Sequence, residues 1–272
     1  MMRGITSPKL SVLLILPMLT TEASTPIQHG TAVAFAANDT TLVLAADSHL
    51  QLDGNQTVAN DSGCKIIKLT DNSILGVSGF EETPDHRFSA VREGKTLFTR
   101  DPPKTIDEMV ARGLKWGYVA SDQIGRLLAG SQSAADRATK MKHPTVGTFA
   151  AFMPRYGLFV EQVTIRIFAK ADGVHTTVTQ QHFKPTSFRA TGWGETIYDE
   201  ILAQSTPRSK QAAWLIPLFK SHDLADMKRA TLALVGVGKA WAPTSINGEI
   251  DQVQLDKSGV HWIHLKPSCS AD

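Results

Sequence analysis

Gly30-Thr31, Asp47, Lys65 and Gly79 are the residues of this chain whose types and order suit attack of a hydroxyl on an amide. A threonine at a chain's amino terminus carries its own base. The free α-amine takes the hydroxyl proton while the oxygen attacks a carbonyl. The reference pKa of that amine is roughly 7.7–8.0, so an adjacent ammonium such as that of Lys65 favours the neutral, proton-accepting form. Gly30 leaves the bond before Thr31 sterically open to self-cleavage, which would free the amine. Each residue also has an ordinary role: Thr31 as a β-former, Asp47 as the end of a strand, Lys65 as a surface lysine with a buried stem, Gly79 as relief of a tight turn. Their joint occurrence in this order is the argument for chemistry.

These residues need strands to hold them. Residues 31–44 are small, apolar or β-branched, broken by the turn chemistry of Asn38-Asp39-Thr40. A three-residue loop there sets Thr31 directly opposite Asp47, with Cβ atoms roughly 4.5–5.5 Å apart. A two-residue loop sets Gly30 there instead. Residues 65–69 read as a third strand and 73–78 as a fourth. Lys65 shares a strand face with Ile67 and Leu69, and Lys68 shares the other with Ile66. One of the two lysines must therefore point with apolar residues, which is costly unless it is paired. Asp47 is an available partner.

The segment 81–104 is polar and holds Pro84, Pro102 and Pro103; it reads as irregular, with Glu81-Glu82 a solvated acidic pair. Thr105 caps a helix from 106 to about 128, with Asp107 and Glu108 in its first turn. Residues 146–183 read as a three-stranded meander. Helices are expected at 195–204, 209–220 and 224–241, and two closing strands at 249–255 and 260–265. Strands, helix, strands, helices, strands is an α+β order, without βαβ alternation.

Length and composition fit one globular domain: 272 residues, 42% hydrophobic and 20% charged. A net charge of +2 with no Lys/Arg run argues against nucleic acid as a partner. Residues 1–23 have the layout of an export signal: Arg3 and Lys9, then a short apolar run from Leu10 to Leu19, then Thr21-Glu22-Ala23 as a cleavage site. The run is too short to span a bilayer, so no membrane partner is expected beyond that signal. Export makes the periplasm or the extracellular space the expected location, and 24–30 would be a propeptide. In a eukaryotic host Asn38, Asn55 and Asn60 would be glycosylation acceptors. The two cysteines, Cys64 and Cys269, form no C-x-x-C, and whether they pair is left open. His261 and His264 lie three apart on a strand and face opposite sides, which argues against a shared metal. No metal or organic cofactor is implied.

His29-Gly30-Thr31, Leu44-Ala45-Ala46-Asp47-Ser48, Lys65-Ile66 and Gly76-Val77-Ser78-Gly79 resemble the successive landmarks of proteasome β subunits, which are N-terminal-nucleophile (Ntn) hydrolases. No gap is needed from Thr31 to Asp47 or from Lys65 to Gly79; the loop before Lys65 is about two residues longer than in the family. The resemblance implies a four-layer αββα sandwich over 31–272. It makes Thr31 the nucleophile, Asp47 and Lys65 its charge partners, and Gly79 the oxyanion donor. A weaker echo covers Asn247 to Asp251 and the closing hairpin. Trp193 and Glu195 replace the family's Ser-Gly-Ser surroundings. No acid stands near Pro243, where the family's second aspartate falls; Thr244 and Ser245 are the nearby hydroxyls. The reading is a threonine-nucleophile amidohydrolase acting on peptide bonds. Its alternatives are an inactive proteasome-like scaffold or binding protein, and an amidase for a non-peptide amide. Homo-oligomerisation stays open. A proteasome-type ring is not expected, because the irregular 81–104 replaces a family helix that packs neighbouring subunits.

Overall fold

The computed structural model describes residues 28–30, 32–52, 63–83, 87–129, 144–170, 173–184 and 188–269. The proposed signal, most of 24–30, the loop carrying Asn55 and Asn60, and Thr31 itself lie outside the described residues. Twelve strands are described: β1 Gln28–Gly30, β2 Ala32–Ala37, β3 Thr41–Asp47, β4 Leu50–Leu52, β5 Ile66–Thr70, β6 Ser73–Glu82, β7 Thr145–Met153, β8 Gly157–Lys170, β9 Gly173–Phe183, β10 Phe188–Gly192, β11 Ile250–Asp256 and β12 Gly259–His264. The described helices are α1 Ala90–Arg100, α2 Ile106–Ala129, α3 Trp193–Ala203, α4 Pro207–Gln211, α5 Leu215–Lys220 and α6 Leu224–Trp241.

Two antiparallel sheets result. One runs β4-β1-β6-β7-β8-β9, with β5 sharing the β1 edge of β6; the other runs β10-β2-β3-β11-β12. Alternation along β2 and β3 decides what lies on each face. Val33, Phe35, Leu42 and Leu44 meet Ile66, Ile74, Ala150 and Val160 between the sheets. Ala32, Ala34, Ala36, Val43 and Ala45 turn the other way, under Ile197, Met227 and Leu234 of α3 and α6. The four alanines leave room for α6 to pack close. The outer face of the larger sheet is covered by α1 and α2 through Phe98, Met109, Trp116 and Ile124. Trp116 stands edge-on to Phe149, which stacks on Phe98, and its Nε1 donates to the Ala90 carbonyl at 2.8 Å. Helices therefore cover both outer faces of a two-sheet core.

The opening hairpin takes neither of the expected registers. Val33 faces Ala46 and Ala37 faces Leu42, and the Asn38 amide donates to the Thr41 carbonyl. Only Asp39 and Thr40 are left in the loop. Asn38 Oδ1 closes this turn by accepting from the amides of Thr40 (3.0 Å) and Thr41 (2.9 Å). Counting back, Ala32 rather than Thr31 or Gly30 arrives at Asp47. The same Asn38 side chain donates to the His222 carbonyl, so its amide is already committed as a structural group.

The segment 81–104 is not irregular throughout. Helix α1 runs there, capped by Ser89 Oγ, which accepts from the Arg92 amide. Its buried face is built from Ala90, Val91, Gly94 and Phe98, mostly small residues that leave little apolar periodicity to read. The sequence-based objection to a ring assembly falls with this correction. The helix expected over 209–220 is two, α4 and α5, joined by a turn through Ala212–Trp214.

A carboxyl lies buried under α2. Glu161 on β8 is fully enclosed; Oε2 accepts from Gln180 Nε2 at 2.7 Å and Oε1 has no partner. Burial pushes its pKa up to about 7, against the lowering pull of the Gln180 hydrogen bond. The folded state thus holds a proton that the unfolded chain releases near its ordinary 4.5. That stabilisation is complete below about 4.5 and is lost as pH rises through about 7, and the interval corresponds to roughly 3 kcal/mol. We expect the melting temperature to fall between pH 5 and pH 8, and Glu161→Gln to flatten that fall. A melting temperature that rises over this range would contradict the assignment.

Candidate active site

Strand β3 ends on Asp47, and the chain enters β5 through Lys65. Both side chains are fully buried, and Lys65 Nζ lies 2.7 Å from Asp47 Oδ1. The inward lysine of the sequence is thus Lys65; Lys68 points outward to Asp71. Asp47 Oδ1 also accepts from the Ala32 amide at 3.0 Å, and Oδ2 from the His49 amide at 3.3 Å. The carboxylate therefore fixes the backbone immediately after position 31 and holds the lysine there. A buried ion pair of this kind persists only when hydrogen bonds satisfy its remaining oxygens, as they do here.

The backbone immediately before position 31 is fixed from the other sheet. Strand β1 lies between β4 and β6: Gly30 pairs with Gly79 on one side and with Leu50 on the other. Gly30 thus belongs to the larger sheet, opposite Gly79, and Ala32 to the smaller one, at Asp47. Neither β1 nor β4 is among the strands expected from the sequence, which placed 24–30 in a propeptide and the residues before Lys65 in a loop.

Gly79 is required for its shape. Its φ is +93°, and a Cβ there would sit 2.5 Å from Thr145 Cα and 2.7 Å from the Pro144 carbonyl oxygen. Gly79→Ala meets both the backbone penalty and a clash with backbone that cannot move aside. We expect it to lower stability by at least about 2 kcal/mol, read as an earlier denaturant midpoint. A variant as stable as the parent would contradict this.

Gly192-Trp193-Gly194 is also brought to the site. Gly192 pairs with Ala32, and Gly194 packs against the Val33 carbonyl and Ala190. Trp193 packs against the core beneath α3. Next to it Ser78 Oγ donates to Thr191 Oγ1 at 2.8 Å, a buried link between the sheets that the sequence does not signal. Thr244 is exposed, and Ser245 is bound to the Ala242 carbonyl through its amide.

The Lys65 segment is anchored from the C-terminus. Cys64 and Cys269 are joined in a disulfide, the pairing that the sequence left open. Lys266 Nζ donates to the Gly63 carbonyl and lies 3.5 Å from Asp251 Oδ2, while its amide donates to Asp251 Oδ1 at 2.9 Å. Asp251 pairs with Ala46, next to Asp47.

Glu81 is no solvated acid. It is 2% exposed, and its Oε2 has no hydrogen-bond partner. Glu82 is the outer member, half-buried beside Arg92. Burial pushes the Glu81 pKa up to about 8; Lys65 and Lys266 pull it down, and Asp47 and Glu82 push it further up. No cluster of three or more His, Cys, Asp or Glu with metal-binding arrangement occurs among the described residues. The chain matches no family model and no curated protein.

Proposed function

We propose that this chain is an exported threonine-nucleophile amidohydrolase of the Ntn class, with the αββα sandwich of proteasome β subunits, matured by cleavage between Gly30 and Thr31. The observation that carries the reading is the placement of residues 28–30 and of Ala32. A short extended segment lies between two strands opposite Gly79, and the next described amide rests on a buried Asp47–Lys65 pair. The segment before Thr31 has the setting that the acyl side of an extended peptide would need. The disulfide suits an oxidising compartment, as export would provide.

In maturation, Thr31 Oγ attacks the Gly30 carbonyl carbon, and the Gly30–Thr31 C–N bond breaks as the nitrogen takes a proton. The resulting ester is hydrolysed by water, which releases residues up to Gly30 and leaves a free α-amine. In turnover that amine takes the Thr31 hydroxyl proton and delivers it to the leaving nitrogen of the substrate. The Lys65 ammonium favours the neutral amine, and Asp47 holds Lys65 in place. The Gly79 N–H steadies the oxyanion. Water then frees the acyl group from Thr31.

The test is covalent capture. The mature protein is mixed with a peptide ester, quenched in acid within a turnover and digested. The acyl mass should appear on the peptide that begins at Thr31. An adduct elsewhere, or none while ester is consumed, would refute the mechanism.

A further inference from the structure

Cys64 immediately precedes Lys65, and its sulfur is bonded to that of Cys269, 205 residues further along the chain. Downstream of Cys64, the Lys65 carbonyl accepts from the Val77 amide at 2.8 Å, which ties it to β6. Upstream, the Gly63 amide donates to the Ser48 carbonyl at 3.1 Å, and the Gly63 carbonyl accepts from Lys266 Nζ. The disulfide and Lys266 therefore press one short segment, the turn Pro267–Cys269 and the lysine before it, against the entry to β5. Asp251 seats that segment. It accepts from the Lys266 amide, and its Oδ2 lies 3.5 Å from Lys266 Nζ and 3.7 Å from Cys269 Sγ.

The arrangement holds like charges together. Lys65 is faced by Asp47 from β3, by Lys266 from the C-terminal segment and by Glu81 from the bulge in β6, where the register against β1 slips between Gln28 and His29. Burial holds the Lys266 pKa down, Asp251 pulls it up, and the Lys65 ammonium pushes it down again. Buried ammonium groups repel, and the covalent bond keeps their two segments joined. Both cysteines are half-buried, which leaves the bond open to a small thiol.

We propose that the Cys64–Cys269 disulfide is a redox latch on hydrolysis: closed, it holds Lys65 in its working place; opened, it lets the lysine's segment loosen and the reaction slow. The latch rests on the reading that Lys65 tunes the Thr31 amine. In opening, one thiolate of an external dithiol attacks a sulfur, the S–S bond breaks and a mixed disulfide forms. The second thiol then attacks, and the reagent leaves as its own disulfide. Two electrons and two protons end on Cys64 and Cys269 as thiols. Closing is the reverse, with the electrons passing to a disulfide oxidant of the kind an oxidising compartment supplies. A chain still reduced is held slow, and export sets it to work.

The experiment follows hydrolysis of a peptide amide by the mature protein against pH, before and after reduction with dithiothreitol. Free thiols and far-UV circular dichroism are measured on the same samples. Reduction should expose both thiols, leave the dichroism in place and lower kcat/KM at about pH 6 by roughly tenfold. The acid limb of the profile should move up, because a Thr31 amine without a nearby ammonium keeps its proton to higher pH. Lost stability alone would not move that limb. Oxidised glutathione should restore rate and limb together. The double variant Cys64→Ser, Cys269→Ser should match the reduced protein and ignore dithiothreitol. An unchanged kcat/KM and limb after reduction, or a disulfide that opens only as the whole chain unfolds, would overturn the latch and leave the threonine mechanism standing. Oxidised protein that hydrolyses no amide and carries no acyl group on Thr31 would overturn both.

Discussion

Thr31→Ala is expected to leave a chain that keeps its residues up to Gly30 and has lost hydrolysis by at least about 10⁴-fold. The two losses share one cause, because the oxygen that would cleave the Gly30–Thr31 bond is the oxygen that would attack substrate. Thr31→Ser should keep both reactions at a reduced rate, since a hydroxyl and its α-amine are still supplied. Stability should hardly change on Thr31→Ala, because the segment is held by backbone pairing at Gly30 and by the Ala32 amide on Asp47. Intact mass and amide hydrolysis, measured on one preparation, check both losses together. Processing that proceeds normally in Thr31→Ala would remove the self-cleavage step from the account.

The second large effect lies at the buried pair. Lys65→Met alone leaves the Asp47 carboxylate enclosed without its cation, and such breakage costs about 3–5 kcal/mol. Adding Asp47→Asn removes the stranded charge while an amide oxygen can still accept from Ala32. The double variant should recover much of that stability, as neutral replacements of buried pairs commonly do. It should not recover activity, because the ammonium that would favour a neutral Thr31 amine is gone. Urea denaturation and amide hydrolysis separate the two outcomes. A double variant as active as wild type would reduce the pair to a structural role.

The sequence makes this pair legible because an inward lysine demands a carboxylate, and Asp47 was an available partner. The meander and α2 were equally readable, the one from its apolar strands and the other from Thr105 capping Glu108. The α6 boundaries follow from its residues in the same way, with Asp223 accepting from Ala225 and Asp226. What escaped depended on contacts distant in sequence or on backbone detail. The hairpin register turned on a single side-chain oxygen, that of Asn38, which shortened the loop. Helix α1 hid because its contact face includes Gly94, set against Leu75, and a glycine adds nothing to an apolar period. Strands β1 and β4 are three residues each and become strands only by pairing with β6 and with each other. Glu81 was misread because its burial comes from a bulge, and no local pattern announces one.

The central claim is that cleavage before Thr31 creates the reactive amine. It is tested most directly by sequencing the amino terminus of the protein purified from its native host. The account predicts a chain that begins Thr31-Ala32-Val33. A chain that begins near Ser24 in fully matured, hydrolytically active material would contradict it.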